Sequence, residues 1–147
     1  MMKIEKHKIL VIYGPNMNLL SLKNLEKEQR ITLDKISKHI RKTAKNLGYD
    51  VMIRQTNHEG RAVDYIQQQR KKIKGLLLFP GPWQQSGHVI KDTLDILLLP
   101  HITISLGQKE KIFKNIKSIK EKDIYDSTEK ALSYLVQIIQ PTLIVSN

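Results

Sequence analysis

Short apolar runs alternate with amphipathic segments along the chain, and this alternation restricts the possible folds more than any other feature. Four runs have the length and apolar content of buried strands, namely Ile9–Tyr13, Val51–Gln55, Gly75–Phe79 and His101–Leu106. A fifth, weaker strand is predicted near Ile124. Between the runs, apolar residues recur at helical spacing, as at Leu33, Ile36 and Ile40.

Capping residues mark where the helices begin. The predicted starts are Thr32, a position near Gly60, and Ser86. The tetrapeptide Asp126-Ser-Thr-Glu129 has the spacing of a capping box, which predicts a last helix from Ser127 to about Ile139.

Strands that alternate with helices of this length predict a parallel sheet, because a parallel crossover needs a connecting helix and is right-handed. We therefore expect an α/β, flavodoxin-like three-layer fold with a five-stranded parallel sheet in the order 2-1-3-4-5. A length of 147 residues with 40% hydrophobic content predicts a single domain over residues 1–147. Residues 141–147 are expected to form a short C-terminal tail.

The first strand runs directly into a Gly14-Pro15-Asn16 turn. Ligands of open parallel sheets bind at the carboxyl ends of strands. A Gly-Pro pair forces a sharp reversal and leaves the Asn16 carboxamide free to face a ligand. An ordinary strand-to-loop turn is the alternative interpretation of this segment alone.

Composition excludes several classes of site. The chain has no cysteine, which removes disulfides, thiol nucleophiles and cysteine metal sites, and its five histidines lack ligand spacing. We expect no metal.

The N-terminus lacks a signal-peptide core and no stretch reaches membrane-spanning length, so we expect a cytoplasmic protein. The net charge of +11 suits an anionic partner, but the lysines are spread over helix faces with few aromatics, which disfavours nucleic acid.

Three motifs occur in a fixed order, namely Gly14-Pro-Asn-Met-Asn-Leu-Leu20, Gln55-Thr-Asn-His-Glu-Gly60 and Pro80-Gly81. In order and spacing they resemble the type II 3-dehydroquinate dehydratase family. The resemblance implies a lyase of the shikimate pathway that eliminates water from 3-dehydroquinate to give 3-dehydroshikimate without metal or cofactor. It also implies a homo-oligomer, a dodecamer built from trimers, in which the 55–60 turn serves mainly in assembly.

In that family a tyrosinate removes a proton, an arginine lowers the pKa of the tyrosine, an asparagine stabilises the enolate and a histidine protonates the departing hydroxyl. By position, the asparagine is retained as Asn16. The arginine falls at Lys23, the tyrosine at Glu28 and the histidine at Ser105. Both proton carriers are therefore substituted, and the resemblance implies impaired chemistry.

Most positions that bind substrate in the family are also changed. A substrate-binding asparagine falls at Phe79, a loop histidine at Gln85 and a carboxylate-binding arginine at Lys114. A Ser-Asn pair that holds the substrate carboxylate is replaced within Leu106-Gly107-Gln108, whereas Asp92 is retained. A phenyl ring cannot make the polar contact that an asparagine makes.

Two classes of function stay open on the sequence. The first is a lyase with altered groups, in which a buried Glu28 acts as base and Lys23 positions it. The second is a noncatalytic oligomeric descendant that binds another small anionic carboxylate metabolite or a protein. We favour little or no native-type turnover.

Two aromatic residues near the predicted ligand edge have alternative interpretations. Tyr13 either donates a phenolic proton or packs against the adjacent strand, and we favour packing. Trp83 either stacks on a ring-shaped ligand or covers the core.

Overall fold

The structure is a computed structural model that describes residues 7–24, 31–114, 116–118 and 124–140. Four parallel strands form its centre. They are β1 (His7–Tyr13), β2 (Tyr49–Gln55), β3 (Ile73–Phe79) and β4 (His101–Leu106), in the spatial order β2-β1-β3-β4. A three-residue strand, β5 (Ile116–Ser118), pairs in parallel with the second half of β4. The predicted parallel α/β architecture is confirmed.

The last strand differs from the prediction. Ile124, where a fifth strand is expected, is the first residue of a helix, α5 (Ile124–Ile139). Its helical spacing to Thr128 and Ala131 places it on the buried face of that helix. The sheet thus has four full strands and a three-residue edge at 116–118, rather than five full strands.

Two helical layers cover the sheet. One face carries α1 (Leu33–Asn46) and α5, and the other carries α2 (Glu59–Gln69) and α4 (His88–Leu97). Along β1, alternate side chains enter the two cores, and residues 9 to 12 are completely buried. This burial on both faces explains why residues 9 to 12 are all apolar and do not alternate with polar residues.

The helix boundaries agree with the capping prediction in part. Thr32 caps α1, since its Oγ1 accepts a hydrogen bond of 3.2 Å from the backbone nitrogen of Lys35. Ser86 caps nothing. It is the last residue of a single helical turn, α3 (Trp83–Ser86), and Gly87 separates that turn from α4. A Cβ at Gly87 would lie 2.7 Å from the Trp83 carbonyl oxygen, so the break needs glycine.

Helix α5 ends at Ile139 as predicted but begins three residues before Ser127. After Asn16 the chain forms a 3-10 helix, Met17–Asn24. The tail predicted at 141–147 lies outside the described residues. In the described part of the chain, no helix has both the length and the apolar content needed to cross a membrane.

Candidate ligand site at the carboxyl ends of the central strands

The turn after β1 lies in direct contact with the end of β3. The backbone nitrogen of Gly14 donates a hydrogen bond of 2.8 Å to the Phe79 carbonyl oxygen. A Cβ at Gly14 would lie 2.5 Å from that oxygen and 2.9 Å from the Pro80 oxygen. Glycine is therefore the residue that this close approach permits. The contact brings the motif that begins at Gly14 next to the Pro80-Gly81 motif.

The second motif supports the first through side-chain hydrogen bonds. Asn16 has a φ of +67°, in the left-handed region that asparagine tolerates better than most residues. Its backbone nitrogen donates to Asn57 Oδ1 at 3.0 Å. Gln55 Nε2 donates to the same Oδ1 and to the Gly14 carbonyl oxygen, each at 3.2 Å. The 55–60 turn thus fixes the Gly14-Pro15-Asn16 turn, a role that the sequence motifs alone did not reveal.

A cavity of ≈ 60 Å³ opens between the ends of β1, β3 and β4. Nine residues line it: Pro15, Asn16, Met17, Phe79, Gly81, Pro82, Ile104, Leu106 and Gln108. This cavity brings together three of the site residues predicted from the sequence, namely Asn16, Phe79 and Leu106. None of the nine lining side chains is charged.

Ser105, where the resemblance noted in the sequence places a histidine, does not line this cavity. On β4, Ile104 belongs to the core beside α1 and α5, and its neighbours in sequence point to the opposite face of the sheet. Ser105 is only 2% exposed, and its Oγ accepts a hydrogen bond of 2.8 Å from Gln84 Nε2. Thr103, on the same face as Ser105, is also buried.

Gln84 is fully buried and makes four side-chain hydrogen bonds. Its Nε2 donates to Ser105 Oγ and to the Phe113 carbonyl oxygen, each at 2.8 Å. Its Oε1 accepts from the backbone nitrogens of Lys111 at 3.1 Å and Phe113 at 2.9 Å. The carboxamide therefore joins α3 to β4 and to the segment that follows β4. Nothing in the sequence distinguished Gln84 from its exposed neighbour Gln85.

The other predicted site residues lie away from the cavity or beyond the described structure. Four are absent from the lining: Gln85, Asp92 and Lys114, which are exposed, and Gly107, which has a φ of +85°. Lys23 belongs to the 3-10 helix, but its side chain is not described, and Glu28 lies outside the described residues. No group of three or more histidine, aspartate or glutamate residues suited to a metal ion occurs in the described ranges.

Tyr13 packs in the core, which confirms the favoured interpretation of this residue. It is 1% exposed, its ring centroid lies 5.1 Å from that of Phe79, and its hydroxyl lies 2.9 Å from Ser37 Oγ. Burial raises the pKa of Tyr13 to about 12, although the hydrogen bond with Ser37 opposes the shift. Trp83 is 4% exposed and belongs to the core beside α2 and α4, so it covers the core.

A parallel sheet with helices on both faces and a cavity at the carboxyl ends of its central strands defines an open α/β protein, a class in which ligands bind at that edge of the sheet. The sequence profile described as Dehydroquinase class II matches residues 7–134. The chain therefore belongs to the class II dehydroquinase family.

Individual relatives agree with this assignment. A 3-dehydroquinate dehydratase from Halothermothrix orenii is 33% identical over 105 residues, 71% of each chain. One from Endomicrobium trichonymphae is 36% identical over 100 residues, 68% of this chain and 70% of that one. The type II dehydroquinase structure from Propionibacterium acnes superposes with a TM-score of 0.70 at 24% identity, covering 88% of this chain and 96% of the other. That structural likeness supports the fold.

Proposed function

We propose that this protein is a type II 3-dehydroquinate dehydratase-like protein with little or no turnover of 3-dehydroquinate, which retains the ligand cavity of its family. The observation that carries the proposal is the position of Ser105. Its hydroxyl is buried, is bound by Gln84 Nε2 at 2.8 Å, and does not line the cavity. A general acid must come within about 3 Å of the atom that it protonates, or must reach that atom through one bridging water.

The environment of the cavity supports the same proposal. Phe79 is 1% exposed and packs on Tyr13, so the position of a substrate-binding asparagine is filled by an aromatic side chain of the core. Elimination chemistry depends on polar groups that are fixed where charge develops in the transition state. Of the nine lining residues, the two with polar side chains are Asn16 and Gln108.

The second candidate is a lyase that works with altered groups. Similarity at the 33–36% level to proteins named 3-dehydroquinate dehydratase favours it, as does the presence of Asn16 in the cavity. In this candidate Glu28 is the base and Lys23 positions it, while a group other than Ser105 delivers the proton to the leaving hydroxyl. The two candidates differ in measurable activity with 3-dehydroquinate.

The decisive experiment follows the ultraviolet absorbance of the conjugated enone product after purified protein is mixed with 3-dehydroquinate. The Halothermothrix orenii relative serves as the positive control. We expect no product above the background without protein. Turnover at a rate like that of the relative would refute the proposal, and a Glu28→Gln variant would then show whether this carboxylate is the base.

We further propose an oligomer larger than a dimer, consistent with the trimer-based dodecamer that the family resemblance implies. Apolar side chains are exposed on and beside α4, with Val89 at 56%, Ile96 at 71% and Leu98 at 85% exposure. Val89 and Ile96 are seven residues apart and so lie on one face of the helix. Sedimentation at micromolar concentration and several salt concentrations tests the assembly, and a monomer at every salt concentration would contradict it.

A further inference from the structure

We propose that the outer edge of β2 pairs in antiparallel register with the same strand of a second copy, so that two sheets form one continuous sheet across a twofold axis at Met52. This pairing rests on the proposed assembly in one respect, that copies of this chain associate. The exposed apolar face of α4 would supply a different contact, so the two contacts can fail separately. The pairing follows from the direction of the β2 backbone groups and from two opposite charges on the strand.

β2 lies at one end of the sheet and, among the described strands, pairs with β1 alone. Thr56, which directly follows β2, donates its backbone N–H to the Tyr13 carbonyl oxygen of β1 at 3.0 Å. Successive residues of a parallel strand direct their backbone groups to opposite sides. Val51 and Ile53 therefore direct their backbone N–H and C=O groups to the outer edge, and the residues that alternate with them direct theirs to β1.

Two side-chain contacts agree with this direction of the backbone. Arg41 Nη1 donates to the Val51 carbonyl oxygen at 3.4 Å, and Arg54 Nη1 donates to the Ile53 carbonyl oxygen at 2.9 Å. Both arginines are exposed, so the two carbonyl oxygens lie at the surface. A second strand would replace the guanidinium donors with its own backbone N–H groups and return the guanidinium groups to water.

Two opposite charges are placed symmetrically on β2. Asp50 and Arg54 are exposed and lie two residues to either side of Met52, the middle residue of the strand. Alternate side chains share one face of a sheet, so all three lie on the same face. In an antiparallel pair centred on Met52, Asp50 of each copy lies opposite Arg54 of the other. Opposite charges that face each other across two strands stabilise the pair, whereas like charges destabilise it.

These charges favour one register over the others. A parallel pair in register would place like charges opposite each other at both positions. An antiparallel pair centred one residue earlier or later would place both charges opposite uncharged residues. The pair centred on Met52 matches all seven residues of β2 and also brings Val51 opposite Ile53, a favourable pair of β-branched residues. Charges on an edge strand ordinarily prevent pairing, and here they oppose the competing registers.

A single cysteine at the proposed axis tests the geometry. The chain has no cysteine, so Met52→Cys introduces the only thiol. The two copies of residue 52 would form a non-hydrogen-bonded pair with Cα atoms about 4.5 Å apart, a separation that a disulfide can bridge. We expect most of the protein to run as a covalent dimer on denaturing gels after mild oxidation. Ser133→Cys, exposed on α5, is the control for chance encounters and should remain a single chain.

Charge reversal tests the two cross-strand pairs. In Asp50→Arg, arginine faces arginine twice, and in Arg54→Asp, aspartate faces aspartate twice. We expect each variant to associate at least about tenfold more weakly than the parent in sedimentation over a concentration series. The two substitutions change the net charge in opposite directions, so a general effect of charge cannot weaken both.

The double variant Asp50→Arg/Arg54→Asp restores opposite charges across the strands. We expect its dissociation constant to return to within about threefold of the parent value. Within one strand the two positions lie about 13 Å apart, so an ion pair inside one copy cannot explain the recovery. Circular dichroism reports whether each variant keeps its fold.

Three results would overturn the proposal: no more cross-linking at position 52 than at position 133, single reversals that leave the association unchanged, or a double variant as weak as the single ones. Failure here is separable from failure of the proposed function. An oligomer larger than a dimer without cross-linking at position 52 refutes this inference alone. A cross-linked dimer that forms nothing larger refutes the proposed assembly alone, and a monomer at every salt concentration refutes both. Turnover of 3-dehydroquinate bears on the proposed activity alone.

Discussion

Gln84 Nε2 lies 2.8 Å from Ser105 Oγ, and both residues are closed off from solvent, at 0% and 2% exposure. The pair joins the single turn α3 to β4 at the face of the sheet opposite the cavity. Because every polar atom of the Gln84 side chain is hydrogen-bonded, the arrangement is a stabilising part of the core.

Gln84→Ala is expected to destabilise the protein by about 2–4 kcal/mol, because it leaves buried groups of Ser105 and Phe113, and the partly buried backbone nitrogen of Lys111, without a partner. The free energy of unfolding from urea titration measures the loss. Gln85→Ala changes the exposed neighbour and should stay within about 0.5 kcal/mol of the parent. Equal effects of the two substitutions would contradict the role assigned to Gln84.

Tyr13 predicts a loss of stability in alkali. The pKa of Tyr13 is raised to about 12 in the folded protein, against 10 for a free tyrosine. Below pH 10 both states keep the proton, and as pH rises from 10 to 12 the unfolded chain ionises first, so the free energy of unfolding falls. The full loss from this residue is about 2–3 kcal/mol.

Tyr13→Phe should remove that part of the pH dependence, at the cost of the hydrogen bond to Ser37 at neutral pH. Urea titrations at pH 8 and pH 11.5 measure it. Tyr134→Phe, at a position 53% exposed, is the matched control and should follow the parent protein. The Tyr13 prediction is wrong if the Phe variant loses as much stability between the two pH values as the parent does.

Gly14→Ala is expected to destabilise the protein by about 3 kcal/mol or more. Its Cβ would lie 2.5 Å from the backbone oxygen of Phe79, so the ends of β1 and β3 must separate. Gly60→Ala is the contrasting variant, because Gly60 lies in α2 and a Cβ there meets nothing within 4 Å. It should be neutral or stabilising by about 0.5 kcal/mol in thermal or urea unfolding. Similar losses in both variants would contradict the packing argument.

Asn57 is expected to tolerate aspartate but not alanine. Its Oδ1 accepts hydrogen bonds from the backbone of Asn16 and from Gln55 Nε2, and a carboxylate can accept both. Asn57→Ala should cost about 1 kcal/mol, and Asn57→Asp should cost less. Urea titration gives the stabilities, and amide exchange at Asn16 should accelerate in the alanine variant alone. Unchanged exchange in that variant would show that the bond contributes little.

Restoring the two proton carriers is not expected to restore dehydration. In a Glu28→Tyr/Ser105→His variant, the imidazole must enter a buried position next to Gln84 on the face away from the cavity. Phe79 also remains in place of a polar contact, and Lys23 supports a tyrosinate less well than arginine does. Product formation from 3-dehydroquinate is the assay.

The comparison variant adds Phe79→Asn, Lys23→Arg and two residues after Gly107. We expect any recovered activity to appear in this larger variant. If the double variant reaches the same rate, the surrounding groups were intact and our interpretation of a broadly altered site is wrong.

The strand-end argument predicted the position of Asn16 because it depends on topology, which the alternation of apolar runs determines, whereas Phe79 and Leu106 were identified from the family resemblance. The face of Ser105 was not predicted, since counting along a motif gives a position on the strand but not which core that side chain enters. The role of Gln84 depends on contacts with residues 21 to 29 positions away, which no local pattern encodes. The prediction that Ser86 caps the fourth helix was wrong, because the close approach of Gly87 to the Trp83 carbonyl oxygen breaks the helix there.

The bond from Asn57 to the Asn16 backbone has a consequence for how sequences of this kind are sorted. It joins two of the motifs on which the family resemblance rests, so the two motifs are partners in one structural contact. The presence of those motifs therefore reports on the fold and does not report on the groups that would carry the chemistry. Positions 79 and 105 lie outside the motifs, and the residues at these two positions should be compared before the activity of a relative is assigned to a chain of this kind.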